Sequence, residues 1–172
     1  MTNRKTLILG GVKSGKSLLA ENMAIATGLD VIYIATARVE DSEMQLRVDV
    51  HRNRRSEKWI VIEEPYALAN ALDEYSNSNQ CVIVDCLTLW VTNLLMLKDE
   101  SKYFMEKEFL INSLSNIKGK LIIVSNETNM GIIPTGSLSR FYCDEIGQLH
   151  QIIARCCDSV LITIAGLPMV LK

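Results

Sequence analysis

The sequence predicts an α/β fold, with a mainly parallel central sheet and helices on both faces. Two observations lead there. Apolar runs of strand length alternate with helix-like segments along the whole chain, and sequential βα connections of that kind close as right-handed crossovers. The first such run, Thr6-Leu7-Ile8-Leu9, is followed at once by Gly10-Gly11-Val12-Lys13-Ser14-Gly15-Lys16-Ser17 and then by a helical stretch from Leu18 to Ala26. That segment fits the phosphate-loop pattern G-x-x-x-x-G-K-[ST] at every fixed position. Its glycines let backbone N–H groups converge on an anion, and the helix that starts there adds its positive end. Lys16 can reach a β- or γ-phosphate, and Ser17 can hold a Mg2+ that bridges them.

The other elements follow in order. Residues 30–36 form a continuous apolar run, the pattern of a strand buried on both faces. It ends in Thr36-Ala37, at the carboxyl edge where open α/β sheets place ligands. Residues 41–55 are polar and read as a helix, with Met44 and Val48 on one face. A short strand over 59–62 leads to Glu63 and Glu64, and a helix covers 66–75. Residues 81–86 read as the central strand, apolar until Asp85. Helices are expected over 87–97 and 103–116, with a buried strand over 120–125 ending at Asn126-Glu127. A Gly/Pro-punctuated connection, 128–135, precedes a helix over 137–157. The last full strand is expected at 159–166, with a short tail to Lys172.

Composition narrows the class. A chain of 172 residues suits one domain, 1–172, with a sizeable core. Its 48% hydrophobic and 22% charged content is that of a soluble globular protein, and a net charge of -2 gives no general pull toward nucleic acid. No run approaches the ~18 apolar residues of a membrane span, and nothing at the start resembles a signal peptide. The five cysteines form no C-x-x-C pair. Reduced, mostly buried thiols in a cytoplasmic enzyme are the expectation.

Two positions carry the expected chemistry beyond the loop. Asp85, a carboxylate ending a hydrophobic strand, has the placement of a Mg2+-holding group, though it could equally cap the following helix with Thr88 beside it. His51 is crowded by Glu43, Arg47, Arg52, Arg54 and Arg55. A solvated charged helix face would explain this. So would an imidazole that works on phosphate as acid/base or as nucleophile, with arginines offsetting the anionic charge. Lys13 adds charge within the loop, and Arg140 is open between a phosphate contact and a salt bridge. Glu63, Glu64 and Glu127 lie at strand ends, and each could orient a base, a sugar or an acceptor hydroxyl, or simply be solvated. Trp59 and Trp90 read as core, and His150 as structural or ligand-adjacent. The chain lacks the Asn-Lys-x-Asp segment of a regulatory GTPase, and it is short for a motor, which favours a compact transferase.

Several segments then resemble one family in the same order along the chain. They are residues 10–17, Tyr33-Ile34-Ala35-Thr36-Ala37, Arg47-x-x-x-His51-Arg52-x-x-Arg55-x-x-x-Trp59 and Asp85-Cys86-Leu87-Thr88-Leu89-Trp90-Val91-Thr92-Asn93. Asn126-Glu127, Gly131-Ile132-Ile133-Pro134, Arg140-Phe141, Asp144-Glu145-x-Gly147 and Ala165-Gly166-Leu167-Pro168 complete the set. Together they resemble the bifunctional adenosylcobinamide kinase/adenosylcobinamide-phosphate guanylyltransferase family. The resemblance implies a RecA-like phosphate-loop fold and two reactions. ATP or GTP phosphorylates the aminopropanol hydroxyl of adenosylcobinamide, and GMP from GTP then passes to that phosphate through a guanylylated histidine. The family's histidine falls on His51. Its nucleotide contacts fall on residues 10–17, Thr36, Ala37, Arg52, Asn53, Arg55, Glu63 and Asp85, and its members can form a homotrimer. Attack by His51 requires the neutral imidazole, which adjacent arginine charge favours.

The chain departs from the family pattern at Lys13 and Arg52, which keep charge, and at Thr128, Asn129, Tyr142 and His150. The last four put acceptor binding and the balance of the two activities in question. Two other functional classes are compatible with the loop: a single-activity small-molecule kinase, and a nucleotide-dependent interaction protein.

Overall fold

The computed structural model describes residues 4–38, 42, 45, 46, 49, 52 and 56–172. Seven strands form one sheet: β1 (Lys5–Gly10), β2 (Asp30–Ala35), β3 (Ile60–Glu63), β4 (Gln80–Asp85), β5 (Lys120–Val124), β6 (Ser159–Ile164) and β7 (Leu167–Val170), in the order β3-β2-β4-β5-β1-β6-β7. The first six pair in parallel, and only β7 runs antiparallel, against β6. The helices are α1 (Lys16–Ala26), α2 (Leu68–Tyr75), α3 (Leu87–Met96), α4 (Glu100–Ser113) and α5 (Ser137–Cys156). Ser42, Gln45, Leu46, Asp49 and Arg52 are also helical, in the stretch where the sequence predicts a helix.

Strand alternation sorts the core into two layers, because successive side chains point to opposite faces. Leu7, Leu9, Ile32, Ile34, Val82, Val84, Leu121 and Ile123 face α2 to α5, with Leu72, Trp90, Leu94, Leu110, Leu149 and Ile153 packed on them. Ile8, Tyr33, Ile83, Ile122 and Val124 face the other way, toward Ala20 and Ala24 of α1. Those small residues let α1 lie close to the sheet, so the helix that begins at the phosphate loop is held against the strand that precedes it. Trp90 is fully buried, and its indole N–H donates to Tyr66 O at 2.7 Å. Trp59 is only half-buried and stacks on Tyr33, with ring centroids 6.4 Å apart.

The end of the chain corrects the sequence reading. Residues 167–170, expected as a tail, form β7. Ala165 and Gly166, at φ 51° and 82°, make a two-residue hairpin turn of the primed kind, so that Ile164 pairs with Leu167. Pro168 is tolerated because β7 is an edge strand and needs no ladder donor on its outer side. The short run with its proline carries almost no strand signal by itself. Its pairing comes from β6.

A buried polar cluster joins α4 to α5. Lys107 Nζ donates to Glu145 Oε2 at 2.5 Å, and the Tyr103 hydroxyl donates to the same oxygen at 2.8 Å. Burial and the carboxylate together push the Tyr103 phenol well above its ordinary range. Removing one member strands the others without solvent, which is far costlier than losing an exposed pair. Glu145→Ala should therefore destabilise the fold by about 3–5 kcal/mol, read as a lowered urea midpoint, and Glu145→Gln should cost less. A loss below about 1 kcal/mol, the range of surface pairs, would show that the cluster is solvated.

Candidate active site

Register brings the predicted ligand edge together. Ala35 pairs with Glu63 on one side and Asp85 on the other, and Asp85 pairs in turn with Val124. Glu63, Thr36, Asp85 and Ser125 thus leave the sheet along one rim, with the phosphate loop beside them at the end of β1. One strand separates β4 from β1, placing Asp85 roughly 10 Å across the sheet from the loop strand. A string of phosphates with a small cation fits such a gap.

The loop is braced from β6 and the hairpin turn. Gly10 sits at φ 150°, where a Cβ would lie 2.5 Å from Thr163 O and 2.6 Å from Ser14 Oγ. Ser14 Oγ and Thr163 Oγ1 are 2.8 Å apart, and Gly166 N donates to Ser14 O at 2.9 Å. Gly15, the N-cap of α1 at φ 99°, lies against the backbone of Gly166, whose Cα would be 3.2 Å from an added Cβ. Both glycines are required by crowding as well as by backbone angle. The hairpin missed in the sequence therefore shapes the far wall of the phosphate loop.

Lys16 is buried and folds its Nζ onto Gly11 O at 2.6 Å, with Ser14 Oγ at 3.5 Å. Burial lowers its pKa, opposed by the neighbouring charges of Cys86 and Asp85. Ser17, in the first turn of α1, is half-exposed, while Lys13 at φ 55° and Val12 are exposed on the outer side of the loop.

Asp85 does not cap α3: its N-cap is Cys86, with no side-chain cap bond. Its Oδ2 instead accepts the Tyr33 hydroxyl at 2.6 Å, which fixes the carboxylate at the rim. Tyr33 was not singled out in the sequence, because it reads there only as one more apolar strand residue. Thr36 is fully buried. Its hydroxyl bridges the main chain of Cys86, accepting from N at 2.8 Å and donating to O at 2.7 Å, and its carbonyl accepts from Asn93 Nδ2 at 2.7 Å. Its side chain is thus committed to holding the ends of β2 and β4 together, and Ala37 beside it is half-exposed.

The carboxylates at the strand ends separate. Glu64 accepts from the backbone N of Tyr66 and Ala67, at 2.9 and 2.8 Å, and so holds the entry to α2. Glu63 is exposed and meets Arg52 Nη2 at 3.4 Å, an exposed pair of modest strength. That contact brings two of the expected nucleotide-binding residues to one end of the rim. His51, Asn53 and Arg55 lie outside the described residues. Glu127 N donates to Gly10 O at 2.9 Å, tying the end of β5 to the phosphate loop. The Arg140 guanidinium donates to the carbonyls of Pro134 and Thr135.

The Mg2+ assignment to Ser17 and Asp85 fits this geometry. Among the described residues no group of three or more His, Cys, Asp or Glu side chains could hold a metal. An ion that keeps waters and takes most of its ligands from nucleotide phosphates needs only one or two protein oxygens. The half-exposed Ser17 and the Tyr33-oriented Asp85 can supply them.

Comparison with known proteins now decides the family. The model of the family described as cobinamide kinase / cobinamide phosphate guanyltransferase matches residues 6–171. The chain belongs to this family. It is 51% identical over 168 residues to the bifunctional adenosylcobalamin biosynthesis protein CobP of Pseudomonas aeruginosa, covering 98% of this chain and 97% of that one. It is 33% identical to the bifunctional adenosylcobalamin biosynthesis protein CobU of Escherichia coli, covering 96% and 98%. Among solved structures, the RadB recombinase superposes with a TM-score of 0.55 at 18% identity, over 92% of this chain and 73% of that one. That likeness shows a shared RecA-like phosphate-loop fold.

His150 is buried on α5 with Nε2 2.7 Å from Ser125 Oγ, just below the rim. Burial lowers its pKa from the ordinary 6.5, opposed by Glu127. With the folded value depressed, the unfolded chain takes up the proton first, so stability is full above about pH 6.5 and falls as pH drops below it. A urea midpoint followed from about pH 7.5 to about 5.5 should fall less steeply in His150→Asn than in the parent chain. Equal slopes would mean that the histidine is freely protonated in the fold.

Proposed function

We propose that this chain carries both activities of its family. It phosphorylates the aminopropanol hydroxyl of adenosylcobinamide with ATP or GTP. It then transfers GMP from GTP to the resulting phosphate through His51, giving adenosylcobinamide-GDP and pyrophosphate in the assembly of cobalamin. The family match over residues 6–171 carries this reading, and the phosphate loop facing Asp85 across one strand supports it.

In the first reaction the substrate oxygen attacks the γ-phosphorus, the bond to the β-phosphate oxygen breaks, and the hydroxyl proton is released. The loop backbone and Lys16 hold the phosphates in line. Ser17 and Asp85 would hold Mg2+, which would supply positive charge at the phosphates when bound. In the second reaction a ring nitrogen of His51 attacks the α-phosphorus and pyrophosphate leaves. A phosphate oxygen of the acceptor then displaces the histidine and takes the GMP. Arg52 and Glu63 mark the nucleotide side of that step, with Asn53 and Arg55 assigned beside them, and Thr36 and Ala37 line the rim between.

The same reading places the enzyme in the cytoplasm as a homo-oligomer. No described helix is long and apolar enough to cross a membrane. The edge strand β7 leaves Leu167, Met169 and Val170 exposed, as a surface covered by another copy would. The test of the function is GTP labelled at the α-phosphate: the folded protein should retain covalent GMP in an acid-labile bond.

A further inference from the structure

The nucleotide is accounted for by the rim, but nothing above says where the corrinoid sits. A cleft of about 370 Å³ opens between α3 and α5, lined by Thr92, Met96, Thr128, Pro134, Leu138 and Tyr142 among others. It is joined to the reaction centre by short links. Glu127, whose N–H is bonded to Gly10 O, immediately precedes Thr128 on the cleft wall. On the other wall Asn126 Nδ2 donates to Thr88 Oγ1 at 3.2 Å, and Thr92 Oγ1 donates to Thr88 O at 2.9 Å, one turn along α3. The cleft thus begins where the phosphate loop and the end of β5 meet.

Its chemistry differs from the phosphate site. The lining is apolar with hydroxyls from Thr92, Thr128, Ser139 and Tyr142, and it contains no charged side chain. Such a surface suits a broad ligand with apolar edges and amide groups, and it gives a second nucleotide's phosphates no partner. At the mouth Met96 and Leu138 are 61% and 54% exposed, and the adjoining loop presents Ile132 and Ile133 at 98% and 78%, an apolar rim larger than scattered surface residues produce. Two of the departures from the family pattern, Thr128 and Tyr142, lie on this wall. A third, Asn129, pins the loop to α5 through Nδ2 and Cys143 O at 2.8 Å.

We propose that this cleft is the acceptor subsite. It takes one edge of the corrin ring together with the aminopropanol arm, whose hydroxyl points toward Glu127 and the phosphate loop. A space of this size encloses only part of a corrinoid, and the rest of the ring lies on the Met96–Ile133–Leu138 rim. The assignment rests on the kinase reading above and adds the residues that read its acceptor.

The test uses the full-length protein with Met96→Glu and Leu138→Glu, both at exposed positions where the fold tolerates charge, and Ile25→Glu on α1 as a control on the opposite face. Each cleft variant should raise KM for cobinamide at least about tenfold, the effect of placing a charge against one apolar contact. KM for ATP and covalent labelling by α-labelled GTP should stay unchanged, and the control should match the parent. Parent turnover with cobinamide KM unchanged in both variants would overturn the subsite alone. A changed sedimenting mass in either variant would also overturn it, by making the face a contact between copies. Absence of cobinamide phosphorylation by the parent would remove the functional reading itself.

Discussion

His51→Ala should abolish covalent labelling by α-labelled GTP and lower formation of adenosylcobinamide-GDP by roughly 10⁴-fold or more, while phosphorylation of cobinamide continues. The separation of the two effects is the informative part. The kinase step asks for a phosphate loop, a cation and a positioned hydroxyl, and the phosphate loop and Asp85 stand at one edge of the sheet. None of those groups is a nucleophile suited to the α-phosphorus. A histidine that takes GMP and passes it on splits the transfer into two displacements, so pyrophosphate should leave before the acceptor phosphate binds and steady-state kinetics should be ping-pong. Labelled protein that persists in His51→Ala would place the covalent bond elsewhere. Loss of the kinase activity as well would show that His51 is needed for the fold or for both steps.

Lys16→Ala should reduce cobinamide phosphorylation by at least about 100-fold, the usual loss when one preorganised donor to a developing charge is removed. The structure makes the expectation specific. Lys16 lies buried beneath the loop with its ammonium on Gly11 O at 2.6 Å, so the charge is already desolvated and held at the loop before phosphate arrives. A charge exchanged from a loop carbonyl to a phosphate in a site shielded from water is where such electrostatic terms are large. Lys13, three residues earlier in the loop and exposed, has no such burial to replace it. A variant that keeps turnover within about tenfold of the parent, less than one such donor contributes, would mean that the loop backbone and the cation carry the step without the lysine.

Much of this was legible in the residues themselves. The loop from Gly10 to Ser17 announces itself because each fixed position has one physical task. The parallel strands do so because they are buried on both faces and therefore apolar throughout. Asp85 stands out as a charge ending such a run. These are local signals, and local chemistry is enough to read them.

The groups that only the folded chain reveals act across long sequence separations. Tyr33 orients Asp85 from 52 residues away, yet as an aromatic in an apolar strand it signals only core. Thr36 carries a hydroxyl at the ligand edge and so reads as a contact. In the fold that hydroxyl is spent on the main chain of Cys86. Glu63 and Glu64 are adjacent and chemically equal, but strand alternation sends one to the rim and the other to the start of α2. The C-terminal segment is the plainest case. Leu167–Val170 is too short and proline-marked to specify a strand, and it becomes one because β6 offers an open edge and Ala165-Gly166 turns the chain back onto it. That turn then braces the phosphate loop through Gly166 and Ser14. The sequence by itself therefore determined the fold class and marked the phosphate-loop pattern, because each depends on residue types at fixed local spacing. The tertiary structure alone decided which carboxylate is oriented and what holds the loop's shape, because each depends on strand register and on contacts between distant segments.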